Sequence, residues 1–304
     1  MSNPTPISHP LIRSGEPTLA VHDWGGTGAP TLLCHPTGFH GLVWAPVAAI
    51  LVEAGRRVFS LDFRGHGDSE ETPGGIYHWE GFADDVLAVA HHLKIAGDPS
   101  LLAVGHSKGA AAILLAEEHE PGAFARIFCY EPIVFEGSEL GLDSVAFSDS
   151  TRAIDPLDNP MSRGAMRRRR IWDSRDQAFD AYASKPPLSS LHPDALRAYV
   201  DHGLRDVPGG GVELKCHPDH EASVYAMGVM NGLWPLLPGI KAPTVIACGE
   251  SSDTITPAYA AAIVRRMPNA ELLTMPGLGH FGPMEDPGAL AAAILRFAGR
   301  PAAD

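Results

Sequence analysis

Short apolar runs recur along the chain, each followed by a stretch in which apolar positions return every three or four residues. The runs cover residues 31–34, 57–61, 101–104, 126–130, 244–248 and 272–275, and their Val, Ile, Leu and Phe content predicts strands. Most are apolar at consecutive rather than alternate positions. They therefore predict strands buried on both faces, the pattern of a parallel sheet covered by helices on either side. Residues 18–24 predict an antiparallel edge strand near the start. Helical spacing covers 43–53, 79–93, 107–118, 258–266 and 288–297, and the last two helices are each opened by a proline, Pro257 and Pro287.

Between Tyr130 and Ile246 this alternation stops. The intervening stretch is rich in Ser, Asp, Pro and Arg, with helical patterns near 173–183 and 193–203. It reads as a helical cap over 135–240, inserted into a core made of 1–134 and 241–304. The tract Pro208-Gly209-Gly210-Gly211 predicts a flexible joint within the cap, and the run Arg167 to Arg170 predicts a solvated helix face. Trp172, Tyr182, Tyr225, Met227 and Met230 are its apolar candidates for lining a substrate site, or for plain cap core.

Composition narrows the function classes. The 304 residues, 45% of them hydrophobic, are enough for a large α/β core. A formal charge of −13 argues against nucleic acid and anionic membranes as partners, since both require a basic footprint. The chain has no apolar stretch long enough to span a bilayer, and its first ten residues carry no apolar run. A soluble cytoplasmic protein acting on a small molecule is expected. Cys34, Cys129 and Cys248 fall in or at the end of predicted core strands and read as small apolar residues; Cys216, His217 and His220 match no zinc spacing and read as loop residues.

The chemistry concentrates in Gly105-His106-Ser107-Lys108-Gly109, placed directly between a predicted strand and a predicted helix. A chain that reverses there must strain the turning residue, so the positions two before and two after it must lack bulk. Ser107 is the candidate nucleophile. A serine hydroxyl is a weak nucleophile at neutral pH and needs an imidazole base held by a carboxylate. Gly277-Leu278-Gly279-His280-Phe281 follows the last predicted strand and makes His280 the candidate base. Two carboxylates compete for the third role: Asp253, in the loop after strand 244–248, is preferred, and Glu131, directly after strand 126–130, is the alternative. For an oxyanion, the Lys108 amide is one candidate donor, with Thr37 and then Gly38 as the second, because Pro36 has no N–H. The Lys108 ammonium either reaches solvent or enters the pocket. Residues 62–69, with Asp62 and Arg64, read as a supporting turn in which His66 is packed rather than reactive.

Together these motifs resemble the α/β-hydrolase family over nearly the whole chain apart from the cap, in the family's order of nucleophile, acid and base. The resemblance implies an eight-stranded, mostly parallel sheet, a lid after the sixth strand and a triad of Ser107, Asp253 and His280, with Glu131 standing where other members carry the acid. It departs from the family's usual His-Gly at His35-Pro36. The activity implied is hydrolysis of a carboxylic ester or lactone of a small, largely apolar substrate through an acyl-enzyme, without metal or organic cofactor. The same residues would serve a C–C bond hydrolase or a cofactor-free perhydrolase, and a non-catalytic receptor is the reading from another class. Oligomeric state is not legible.

Overall fold

The computed structural model describes residues 5–136, 160–228 and 230–300. Part of the cap expected over 135–240, namely 137–159 and 229, lies outside them.

Eight strands form one sheet: β1 (Ile7–Leu11), β2 (Leu19–Gly25), β3 (Pro30–Cys34), β4 (Arg57–Leu61), β5 (Leu102–His106), β6 (Arg126–Tyr130), β10 (Thr244–Gly249) and β11 (Ala270–Met275). Their order is β1-β2-β4-β3-β5-β6-β10-β11, with the β1–β2 and β2–β4 pairs antiparallel and the other pairs parallel. Successive side chains enter opposite cores. Leu32, Ala103, Ile127 and Ile246 join the core under α2 (Trp79–His92), α3 (Lys108–His119) and α8 (Pro257–Arg266). Leu33, Val104, Phe128 and Val245 join the opposite core, under α1 (Ala45–Glu53) and α9 (Pro287–Ala298). Two apolar layers explain why these strands show continuous apolar runs.

The strand predicted at the sheet's edge lies one position in from it. β1 covers that edge; its residues are largely exposed and include a proline, so it carries no apolar run to announce itself. Pro257 and Pro287 do begin their helices, each after a capping side chain: the Tyr259 amide donates to Thr256 Oγ1, and the Ala289 amide to Asp286.

The insertion between β6 and β10 is not purely helical. Its described part holds α4 (Pro160–Met166), α5 (Arg175–Ala183), α6 (Pro193–Gly203) and α7 (Pro218–Ala226), together with a small antiparallel sheet of β7 (Ile171–Trp172), β8 (Leu204–Asp206) and β9 (Val212–Leu214). Strands of two or three residues leave no periodicity to read. The glycine tract expected to be a joint is instead the turn of the β8–β9 hairpin, where Gly209, Gly210 and Gly211 all take positive φ. The arginine run follows the end of α4, and Arg168 turns inward instead of lying on a solvated face. Cys216 is buried and not a loop residue in solvent; His217 accepts from the Asp219 amide at the start of α7.

Candidate active site

Ser107 sits between β5 and α3 with φ 55° and ψ −116°, a conformation that L-residues avoid. The bracketing glycines are required by contact as well as by conformation. A Cβ on Gly105 would lie 2.5 Å from the Ala110 backbone, and one on Gly109 would lie 2.3 Å from the Cys34 carbonyl oxygen. The helix can thus start against the strand, with the Ser107 backbone amide donating to the Tyr130 carbonyl at 2.9 Å.

His280 lies on the loop after β11, beside this elbow. Its ring centroid is 5.0 Å from that of His106, the residue preceding Ser107. The loop is held by backbone acceptors: His106 Nε2 donates to the His280 carbonyl at 2.8 Å, and the Tyr130 hydroxyl donates to the Gly279 carbonyl at 2.7 Å. Burial, followed by proximity to His280, pushes the His106 pKa well below the ordinary imidazole range. His106 is therefore a neutral strut.

Of the two carboxylates, the structure brings Glu131 to the imidazole and leaves Asp253 away from it. His280 Nδ1 donates to Glu131 Oε2 at 2.6 Å, whereas Asp253 is exposed. The preference for Asp253 is corrected on that ground. Glu131 is fully buried at the end of β6, takes φ 46°, and also accepts from the Gly249 amide at 2.9 Å and from Ser252 Oγ at 2.8 Å. The loop read as the source of the acid thus contributes hydrogen-bond donors to it. Ser252 was missed because a lone loop serine carries no sequence signal.

The loop after β3 lies over the start of α3, as the close approach of Gly109 to Cys34 and His35 requires. Thr37 is buried, and Gly38 takes φ 77°. A Cβ on Gly38 would lie 2.5 Å from Glu221 Oε1 and 3.4 Å from Arg168 Nη1, so charged side chains of the insertion roof this loop. Arg168 pairs with Glu221 and donates to the Tyr199 and Tyr182 hydroxyls. Phe39, packed on Tyr199 and Phe281, adds an apolar wall.

Asp62 supports the loop from beneath: it accepts from the Gly41 amide at 2.6 Å and the Asp68 amide at 2.8 Å, while Arg64 pairs with Asp85. His66 is buried, as a packed residue should be. Lys108 does neither of the things expected of its side chain. It is buried in the core, its ammonium over the rings of Phe63 and Phe82. Among the described residues no group of three or more His, Cys, Asp or Glu side chains is arranged to hold a metal, and no helix is long and apolar enough to cross a membrane.

A family model described as "Alpha/beta hydrolase family" matches residues 31–293. A 2-(acetamidomethylene)succinate hydrolase from Mesorhizobium japonicum is 25% identical over 284 residues, 93% of this chain and 92% of the relative. An sn-1-specific diacylglycerol lipase from Mus musculus is 26% identical over 303 residues, 97% of this chain and 85% of the relative. Among solved structures, E-2-(acetamidomethylene)succinate hydrolase superposes with a TM-score of 0.77 at 23% identity, covering 96% of this chain and 98% of the other. The thioesterase domain from the curacin biosynthetic pathway gives 0.75 at 22%, covering 96% and 99%.

Proposed function

The chain belongs to the alpha/beta hydrolase family, and from that premise we propose that it is a serine hydrolase with Ser107 as nucleophile, His280 as base and Glu131 as acid. The hydrogen bond between His280 Nδ1 and Glu131 carries the reading. A buried carboxylate that holds the proton on Nδ1 leaves Nε2 with its lone pair, the form in which an imidazole can deprotonate a serine.

Ser107 attacks the carbonyl carbon of a carboxylic ester or lactone, and His280 accepts the hydroxyl proton and returns it to the departing alkoxide. Water, deprotonated by the same imidazole, then releases the acid from the acyl-enzyme. The amides of Lys108 and of Thr37 or Gly38 receive the oxyanion, each such donor being worth about 3 kcal/mol in the transition state. The substrate is a small molecule. Phe39 and Phe281 favour an apolar portion.

Turnover of p-nitrophenyl acetate and butyrate tests the reaction, with Ser107→Ala expected to lose at least about a thousandfold in kcat. A fluorophosphonate should label the wild type stoichiometrically and spare the variant. Binding of ester without turnover or labelling would overturn the proposal.

A further inference from the structure

Lys108 carries a buried ammonium directly behind the nucleophile, and nothing in the proposed chemistry uses its side chain. Its Nζ lies 4.3 Å from the centroid of Phe63 and 4.5 Å from that of Phe82, and 3.4 Å from His66 Nε2. The tautomers of the neighbouring histidines follow from backbone acceptors. His66 Nδ1 faces the Arg64 carbonyl at 3.0 Å and must carry the proton, so His66 Nε2 is free to accept from Lys108. His35 is fixed likewise, since its Nδ1 faces the Pro36 carbonyl at 2.8 Å and its Nε2 accepts from the Phe63 amide at 3.0 Å.

No carboxylate forms an ion pair with Lys108 among the described residues. The two acids that face it are occupied elsewhere: Asp62 with His22 and the Gly41 and Asp68 amides, Asp85 with Arg64 and Arg13. The other groups facing it are the Cys34 and Cys216 thiols and the two imidazoles. Burial pushes both thiols upward and both imidazoles well below their ordinary range, so all four are neutral at pH 7. Burial also lowers Lys108 itself, from 10.5 to about 7, against the opposing pull of the Asp85 and Asp62 carboxylates. A cation held by aromatic faces and a neutral imidazole, with Asp62 and Asp85 outside ion-pair reach, is only partly neutralised and keeps much of its field.

We propose that the Lys108 ammonium is an electrostatic positioning element, which places a positive charge behind the oxyanion loop and stabilises the negative charge that develops on the substrate carbonyl oxygen. The inference rests on the serine hydrolase reading above. Four methylenes separate the charge from the backbone amide that would bind the oxyanion, so Nζ lies no more than about 7 Å from that nitrogen. The oxyanion lies about 3 Å beyond that nitrogen, so at an effective dielectric of about 20 the attraction changes the rate by at most about tenfold once repulsion of the imidazolium on the other side of Ser107 is taken off. The charge does not touch substrate and moves no proton.

The test is the pH dependence of kcat for p-nitrophenyl acetate in the wild type and Lys108→Met. The wild type should lose about tenfold between pH 6 and pH 9, with a midpoint near pH 7, as the ammonium deprotonates. Lys108→Met should run about tenfold below it at pH 6.5 with KM within twofold, lack the alkaline decline, and meet the wild type near pH 9. A constant deficit at every pH, or an alkaline limb that survives the substitution, would overturn the proposal. Should Lys108→Met fail to fold, 13Cε NMR of the wild type, which has only five lysines, decides. One resonance titrating near pH 7 at the midpoint of the alkaline limb supports the inference, and five titrating above pH 9 end it. Fluorophosphonate labelling of Ser107 separates the two readings: labelling together with an unaltered limb removes only the role of Lys108, while absence of labelling removes both.

Discussion

The two sides of the Ser107 elbow bury opposite charges in opposite ways. On one side, Glu131 is enclosed by donors, accepting from His280, Ser252 and the Gly249 amide. On the other, Lys108 is enclosed by aromatic faces and an imidazole, with no carboxylate in ion-pair reach among the described residues. Three donors offset the desolvation of a carboxylate and orient the group it holds; leaving an ammonium without an ion-pair partner keeps it costly but preserves much of its field. The first arrangement suits a side chain that must hold a base in place. The second suits one that acts through space.

The most severe way to break the comparison is Glu131→Gln, which removes the acceptor for His280 Nδ1–H and should lower kcat by about a thousandfold or more, whereas Asp253→Asn should stay within about twofold. Side-by-side rates on p-nitrophenyl acetate decide, and a larger loss in Asp253→Asn would reinstate that residue as the acid. Next in size is the cost of the unpaired cation. The Lys108 pKa is lowered from 10.5 to about 7, so between those values the unfolded chain holds a proton that the folded chain has released, and stability rises with pH. Lys108→Met should therefore be more stable than the wild type at pH 6.5, and its advantage should shrink by about 2–3 kcal/mol by pH 9 in paired denaturant titrations.

Gly109→Ala probes the elbow between the two sides. A Cβ there meets the Cys34 carbonyl oxygen at 2.3 Å, and neither the strand backbone nor the helix start can move away without breaking sheet or helix. A loss of about 2–3 kcal/mol or more in thermal or chemical unfolding is expected. The smallest effect should come from Ser252→Ala, which removes one of three donors from Glu131 and leaves the other two; a loss of roughly tenfold in kcat with KM unchanged is expected, the low end for a hydrogen bond to a charged group.

Much of this site can be read along the chain because its parts are local. The elbow needs glycines at 105 and 109 whatever the rest of the molecule does, since the clash each avoids is with backbone a few residues away or with the neighbouring strand. His280 follows a strand in a glycine-bracketed loop, a second local signature. The six parallel strands follow from short apolar runs, most of them apolar at consecutive positions as in strands covered on both faces, while the count of eight follows from the family resemblance. β1, β7, β8 and β9 were not legible, because a polar edge strand and strands of two or three residues offer no periodicity.

Which carboxylate meets the imidazole is a matter of tertiary structure. Glu131 and Asp253 both follow strands of the same sheet, and either stretch of chain could present a carboxylate. Glu131 faces His280 because it leaves β6 at a positive φ, under the Gly249 amide and the Ser252 hydroxyl, which are supplied by a segment more than a hundred residues away. The environment of Lys108 was decided the same way, since Phe63, His66 and Phe82 come from elsewhere in the chain. The sequence alone determined which residue types could turn, attack and accept a proton, because backbone sterics and side-chain chemistry are local. Which charge is neutralised and which is left bare was determined only when distant segments packed together, because desolvation and hydrogen-bond partners are properties of a place in the fold.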